Sequence, residues 1–344
     1  MSAPPAASIV IVSWNGRRYL EPCLNAVAAQ QGVEAETILV DNGSTDGTAA
    51  WVRERFPWVR LVALAENRGF AGGNNAGVRE TRGRLIVLLN NDTVAEPGWL
   101  AALVRGRDAA GPNALASSRI VYMHDPRVID SAGDGLLRWG GAFKRHHGAS
   151  VDAATQSGEV FGVCGAACVI PRRVFDELGG FDEDFFVSHE DVDLSYRARL
   201  LGYPCVYVAD AVVGHHGSST LGRVSPFAVF HGQRNLEWVY FKNTPASLLL
   251  RTLPGHMVYT AAAAVHFTRS GLLGPFLRAK WAVLAGLLRL FQKRAQVQRT
   301  RRAGASDLWP LLEARWLATK RGEKQFDLGL AAAGPPEGGP YGHR

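Results

Sequence analysis

The sequence predicts an α/β fold: a mixed, mostly parallel sheet flanked by helices, followed by a helical, basic and amphipathic extension. Three features point there. From about residue 8 to about residue 110, short apolar runs alternate with segments of helical spacing. The runs are apolar at successive positions, so both faces of each strand need cover, as in a parallel sheet. Between Glu237 and Asp307 no acidic residue occurs, while eleven Lys and Arg do.

The elements follow in order. Residues 9–13 (IVIVS) read as the first strand and 19–30 as a helix. Residues 36–40 form a second strand that ends at Asp41, and 46–55 a helix with Asp46 as N-cap. Residues 59–63 are a third strand, 70–81 a glycine-tolerant helix, and 85–89 a fourth strand running into Asn90-Asn91-Asp92. Residues 111–160 are less regular and suggest strands, turns and a variable loop. A strand is expected at 162–170; Pro171 opens a short helix and Gly179-Gly180 ends it. A helix at 191–201 and a strand at 205–208 complete this part. The tail at 331–344 reads as disordered.

Composition narrows the class. A chain of 344 residues, 47% of them hydrophobic, can bury a large core. Cys23, Cys164, Cys168 and Cys205 fit no common zinc spacing and are too few for a disulfide scaffold. They read as small buried apolar residues in a reducing setting. The start, MSAPPAAS, lacks the basic n-region of a secretory signal, and the apolar run after it is too short for an h-region. The formal charge of +7 belongs to the extension, and the rest of the chain is net acidic.

In an open α/β sheet, ligands sit at the carboxyl ends of the strands. Four clusters fall there. Ser13-Trp14-Asn15-Gly16 can turn sharply and offer N–H groups. Asp41, at the tip of the second strand, caps nothing obvious and can accept the N3–H of uracil or thymine. Asn67 to Gly77 is dense in Gly and Asn and opens a helix, which lets backbone approach a phosphate or ribose closely. It follows the third strand and is not the dinucleotide fingerprint, which counts against a nicotinamide enzyme. Asn90-Asn91-Asp92 is by itself an ordinary turn; next to a diphosphate its carboxylate is a good ligand for Mg²⁺ or Mn²⁺. Later come an acidic stretch, Asp182-Glu183-Asp184 and Glu190-Asp191, near Phe185 and Phe186, and the pair His215-His216. Some of these acids complement a helix dipole; one can serve as a general base.

The ordered set VSWNG, VDNGSTDGT, ENRGFAGGNNAG, LLNNDT, GGFDEDFF, HEDVDLSYRARLLGY, HHGSS and QRNLEWVYFKN resembles a family 2 glycosyltransferase of the GT-A (Rossmann-like) fold, in the rhamnosyltransferase-like branch. The resemblance runs from about Ser8 to about Asn243. It implies a catalytic domain at 1–243, a helical extension at 244–330 and the tail at 331–344. It also implies that Asp41 binds the pyrimidine, and that Ser13, Trp14, Asn15, Asn67, Arg68, Gly72, Asn75 and Asn91 line the nucleotide. Asp92 would hold the divalent metal, with His215 or His216 as a further ligand. The first Asp of the family's Asp-X-Asp motif is Asn90 here, so the diphosphate must supply more of the coordination. Of Glu190-Asp191, the second carboxylate would be the catalytic base, and Phe185, Phe186 and Gly180 would shape the acceptor side. The implied reaction is inverting transfer from dTDP-rhamnose, or a UDP-hexose, to a lipid-linked or cell-surface glycan. The rivals are a non-catalytic nucleotide-sugar or glycan-binding scaffold, a nucleotidyltransferase and, on the basic segment alone, a nucleic-acid binder.

The run at 252–268 lacks Lys, Arg, Asp and Glu but holds Pro254, Gly255, His256 and His266, and it is short of the ~20 apolar residues a spanning helix needs. From Leu272 to Phe291 the basic residues Arg278, Lys280 and Arg289 interrupt an apolar run whose Leu284, Leu287, Leu288 and Phe291 can share one face. That pattern fits a helix lying on an anionic membrane surface, peripheral on the cytoplasmic leaflet, more than nucleic acid.

Overall fold

The computed structural model describes residues 4–217 and 225–323. The tail at 331–344 and the two serines of HHGSS lie outside the described residues.

Twelve strands are formed among them: β1 (Ala7–Ser13), β2 (Ala35–Asp41), β3 (Arg60–Ala63), β4 (Leu85–Leu89), β5 (Thr93–Ala95), β6 (Leu115–Tyr122), β7 (Asp125–Ser131), β8 (Asp134–Leu136), β9 (Ala142–Lys144), β10 (Gly158–Val160), β11 (Ala167–Pro171) and β12 (Cys205–His215). The main helices are α1 (Arg17–Ala28), α2 (Thr48–Arg55), α3 (Gly69–Arg79), α4 (Trp99–Ala109), α5 (Arg172–Glu177), α6 (Glu190–Leu200), α7 (Pro226–Asn243), α8 (Ala246–Arg269), α9 (Leu273–Ala285) and α10 (Leu287–Thr300).

The main sheet runs β10-β12-β6-β11-β4-β1-β2-β3. The β4-β1-β2-β3 half is parallel, as the apolar runs require. β11 enters antiparallel between β4 and β6, and β12 returns parallel to β6, so the sheet is mixed. Every residue of β4 is buried, as a strand covered on both faces must be. The sequence pattern catches only the start of β12. This strand continues past an irregularity between Val208 and Val212 to His215, where it pairs with Thr93 of β5.

The glycines of α3 set how close that helix lies to the sheet. A Cβ on Gly77 would stand 2.5 Å from Val10 and 2.8 Å from Val40, and one on Gly73 would stand 2.7 Å from Val12. Real Cβ atoms do not approach so closely, so glycine there lets α3 press onto β1 and β2. Two apolar layers cover the two faces of the sheet. A third apolar cluster joins Phe185, Val192 and Tyr196 to Trp238, Val283 and Leu290, so α9 and α10 pack on α6 and α7.

Candidate active site

The carboxyl ends of β1, β2 and β4 meet on one edge. Ser13 stands beside Asp41 in the β1–β2 register. The Ser13 hydroxyl accepts a hydrogen bond from Asn91 Nδ2 at 3.1 Å, which ties the loop after β4 to the tip of β1. A Cβ on Gly16 would meet Asn91 Nδ2 and the Ser13 hydroxyl, so a side chain there would displace this pair. Asn15 adopts φ 50° and its side chain accepts from Thr45 N at 2.8 Å, while its own N–H donates to Ser44 Oγ at 2.9 Å. The buried Asp41 accepts from Ser44 N at 3.1 Å. Trp14 is 43% exposed at the rim.

Asn42, which the sequence patterns do not single out, joins the second cluster to the third. Its Nδ2 donates to Asn67 Oδ1 and to Gly69 O, both at 3.0 Å, and its Oδ1 accepts from Arg68 N at 2.9 Å. The Arg68 guanidinium pairs with Glu183 at 2.9 Å beside Gly72. The Asn75 amide is engaged with Phe181 backbone and with Glu183. It braces the acidic loop.

Asp92 is buried at the same edge. Its Oδ1 stands 3.3 Å from His215 Nε2, and His215 Nδ1 donates to Asp130 Oδ2 at 2.7 Å. Two ligands at about 2.1 Å on adjacent corners of an octahedron stand about 3 Å apart, so this oxygen and nitrogen fit one Mg²⁺ or Mn²⁺. A carboxylate behind the imidazole is the usual support of a metal-binding His. Burial alone would lower the His215 pKa, but Asp92 and Asp130 outweigh it and hold it up at about 9. The His216 ring packs on Tyr19 at 4.9 Å, and its backbone N–H donates to the Asp92 backbone oxygen at 3.0 Å. Of the two rings, that of His215 is the one set between Asp92 and Asp130.

Asn90 N donates to Ala166 O at 2.8 Å, and the neighbouring Gly165 N donates to Asp191 Oδ2 at 2.9 Å. That short chain of contacts sets Asp191 near the Asp92 end of the sheet. Asp191 opens into a cleft of about 520 Å³, lined also by Asp134, Lys144, His147, Cys164 and Lys320. Burial raises the pKa of Asp191, while N–H groups of Gly165 and Val192 favour its charged form. Asp134 is pushed much further up, by burial and then by the charge on Asp191. One oxygen of each lies close enough that the two carboxyl groups titrate as a pair. One oxygen from each carboxylate and the Cys164 sulfur lie within 4.8 Å of one another. This trio suits a hard cation poorly: burial, then Asp134 and Asp191, keep the thiol protonated, and a thiol is a soft donor.

The backbone before Asp191 is strained. Phe186, Ser188 and His189 all have positive φ, at 62°, 74° and 67°. Asn235 Nδ2 holds this loop, reaching the carbonyl oxygens of Phe185, Val187 and Ser188 at 2.9, 2.9 and 2.7 Å. At the other end of α7, Lys242 Nζ lies 2.7 Å from both Asp182 and Asp193, and Asn243 donates to Asp193 at 2.8 Å. The QRNLEWVYFKN stretch thus clamps both ends of the segment that presents Asp191.

Phe185, Phe186 and Gly180 are the residues expected on the acceptor side. Phe185 is buried against Trp238 and under Lys242, in the core and away from the cleft. Gly180 is a buried turn with φ 72°, packed on Asn75 and Phe175. Phe186 faces Phe227 and His231 beside Gly69. None of the three lines the Asp191 cleft; β8, β9 and their flanks do so instead. Glu190, one residue from Asp191, is buried, and its Oε2 has no hydrogen-bond partner among the described residues. Its pKa is raised by burial and then by Asp191. Asp130, Asp134 and Lys144 escaped the sequence patterns because they stand in the irregular 111–160 segment.

Residues 8–179 match the Glycosyl transferase family 2 model. The chain is 31% identical over 246 residues to N-acetylglucosaminyl-diphospho-decaprenol L-rhamnosyltransferase of Mycobacterium tuberculosis, covering 62% of this chain and 77% of that protein. Among solved structures it resembles the mannosyltransferase PcManGT from Pyrobaculum calidifontis in complex with GDP-Man and Mn2+. There the TM-score is 0.53 at 19% identity, over 96% of this chain and 87% of that one. It also resembles GalNAc-T7 with UDP, GalNAc and Mn2+, with TM-score 0.54 at 17% identity, over 70% of this chain and 48% of that one. The fold is therefore GT-A.

Proposed function

This chain belongs to glycosyl transferase family 2, and on that premise we propose that it transfers a sugar with inversion from a nucleoside-diphosphate donor to a hydroxyl of a glycan acceptor. dTDP-rhamnose is the first donor to consider, because of the rhamnosyltransferase relative; a UDP-hexose is the second. A polyprenyl-linked acceptor follows from the same relative's name, and it would place the reaction at the inner face of a membrane. The observation that carries the reading is the approach of Asp191 to the sheet edge that holds Asp92 and His215, through Gly165 and Ala166.

In this reading Asp41 accepts the N3–H of the pyrimidine, and the loops at Ser13 to Asn15 and Asn67 to Arg68 enclose the nucleotide. Asp92 and His215 would hold Mg²⁺ or Mn²⁺, which when bound offsets charge on the leaving diphosphate. Asp191 takes the proton of the acceptor hydroxyl as its oxygen attacks C1 from the face opposite the diphosphate. The C1–O bond to the β-phosphate breaks, the new C1–O bond forms, and nucleoside diphosphate leaves. A single displacement inverts the anomeric centre and needs no covalent sugar–enzyme link. A screen of dTDP-, UDP- and GDP-sugars with Mg²⁺ or Mn²⁺ and a polyprenyl-diphosphate-linked acceptor, read as nucleoside diphosphate release, tests this. Release of pyrophosphate instead would point to nucleotidyl transfer.

A further inference from the structure

Helices α9 and α10 are apolar on two sides. Phe276, Ala279, Val283 and Leu290 are buried on the protein side. Leu277, Trp281, Leu284, Leu288 and Phe291 follow one another at spacings of four, three, four and three residues, and each is more than half exposed, Trp281 at 71% and Leu288 at 76%. On α8 a second exposed stripe runs through Leu250, Pro254, Met257, Ala261 and Val265. Of the thirteen large apolar side chains exposed among the described residues, nine lie in these three helices. A surface helix normally turns polar residues to water, so a helix apolar on both sides calls for a second apolar phase.

The charge around the stripes says which phase. No Asp or Glu occurs in 238–306, and Arg269, Arg278 and Arg299 are exposed there. The basic surface is smaller than a residue count implies. Lys280 pairs with Glu237, and Lys293 and Arg289 pair with Asp184 of the catalytic region. What remains is still of one sign, so a second copy of the same face would oppose like charges, whereas an anionic headgroup layer would not. No helix among the described residues is long and apolar enough to cross a membrane.

Helix α8 also adjoins the cleft, through the face opposite its exposed stripe. Trp139 packs on Gly255 of α8, its carbonyl oxygen is 2.8 Å from His256 Nδ1, and Tyr259 lies against Gly141. The next residues, Ala142, Phe143 and Lys144, line the cleft that holds Asp191.

We propose that α8, α9 and α10 form a docking face for an anionic lipid bilayer, with the two apolar stripes in the headgroup–acyl boundary and the Asp191 cleft opening beside it. This rests on the lipid-linked acceptor proposed above: the acceptor's lipid stays in the bilayer while its sugar enters the cleft. An amphipathic face of this kind sits about 5–10 Å deep and binds through apolar area plus attraction to anionic lipid.

The test is flotation of the full-length protein with phosphatidylglycerol–phosphatidylcholine vesicles and with phosphatidylcholine alone. Wild type and Asp191→Asn should both float with the anionic vesicles. The triple variant Trp281→Ser, Leu284→Ser, Leu288→Ser should bind at least about tenfold more weakly, since it removes three inserted apolar side chains. Its thermal melt and its donor-nucleotide affinity should match wild type, because all three sites are exposed. Equal flotation of the triple variant would overturn the proposal. So would wild type that stays with the soluble fraction, or light scattering that shows a dimer which the triple variant abolishes. Flotation without sugar transfer would sink the catalytic reading and leave the docking face standing.

Discussion

His215 Nε2 stands 3.3 Å from Asp92 Oδ1 while its Nδ1 donates to Asp130 at 2.7 Å. Three segments distant in sequence, the end of β12, the loop after β4 and β7, thus combine in one candidate cation site.

That geometry separates the roles of neighbouring histidines. His215→Ala should remove a metal ligand, while His216→Ala should leave metal affinity nearly unchanged. Asp130→Asn should weaken binding by about 10–100-fold, the usual effect of losing the carboxylate behind a ligand His. Mn²⁺ titration followed by electron paramagnetic resonance, with nucleoside diphosphate present, reads all three. Loss of metal in His216→Ala would reverse the assignment.

Asp191 must be ionised to act as a base, and burial raises its pKa. Transfer should therefore be full at high pH and fall on acidification through a midpoint above the ordinary carboxylate range. Asp191→Asn should lose about 10²–10⁴ in kcat, the range for a positioned general base, and should still bind nucleotide. A pH–rate profile with an acid limb near pH 4 or below would contradict the raised value.

Asn235 lies within hydrogen-bond reach of three carbonyl oxygens in the strained loop before Asp191. Asn235→Leu leaves buried acceptors without a donor and should cost about 1–3 kcal/mol of stability. It should also lower kcat more than it raises the donor KM, because the loop positions the base and not the nucleotide. Denaturant unfolding and steady-state kinetics check the two effects separately.

Lys242 and Lys293 hold the buried carboxyl of Asp182 well below its ordinary pKa, overcoming the upward push of burial. A carboxylate depressed in the folded state contributes stability above its unfolded pKa, and that contribution is lost as pH falls through the folded value. Lys242→Met should destabilise the fold at neutral pH by about 3–5 kcal/mol, as breaking a buried pair does. It should also move the acid-unfolding midpoint to higher pH. Circular dichroism across an acid titration measures both.

The placement of Ser13, Asp41 and Asp92 on one sheet edge was legible because they follow short apolar runs, where strands must end, and all three stand at or just past a strand tip. The surroundings of Phe185 and Phe186 were not. Phe185 and Phe186 are adjacent in a short turn, and only packing decides that one enters the core and the other does not. The partner of His215, Asp130, lies 85 residues earlier in the chain. The run of basic residues in the extension could not reveal that Lys280 and Lys293 have acidic partners in Glu237, Asp182 and Asp184.

The measurement that bears most directly on the central claim is a crystal soaked with Mn²⁺ and dTDP, read by anomalous scattering at the manganese edge. The expected result is one manganese peak shared by Asp92 and His215, with the pyrimidine at Asp41 and the diphosphate next to the Asp191 cleft. A peak bound by Asp134, Cys164 and Asp191 instead, or a nucleotide seated away from the ends of β1, β2 and β4, would contradict it.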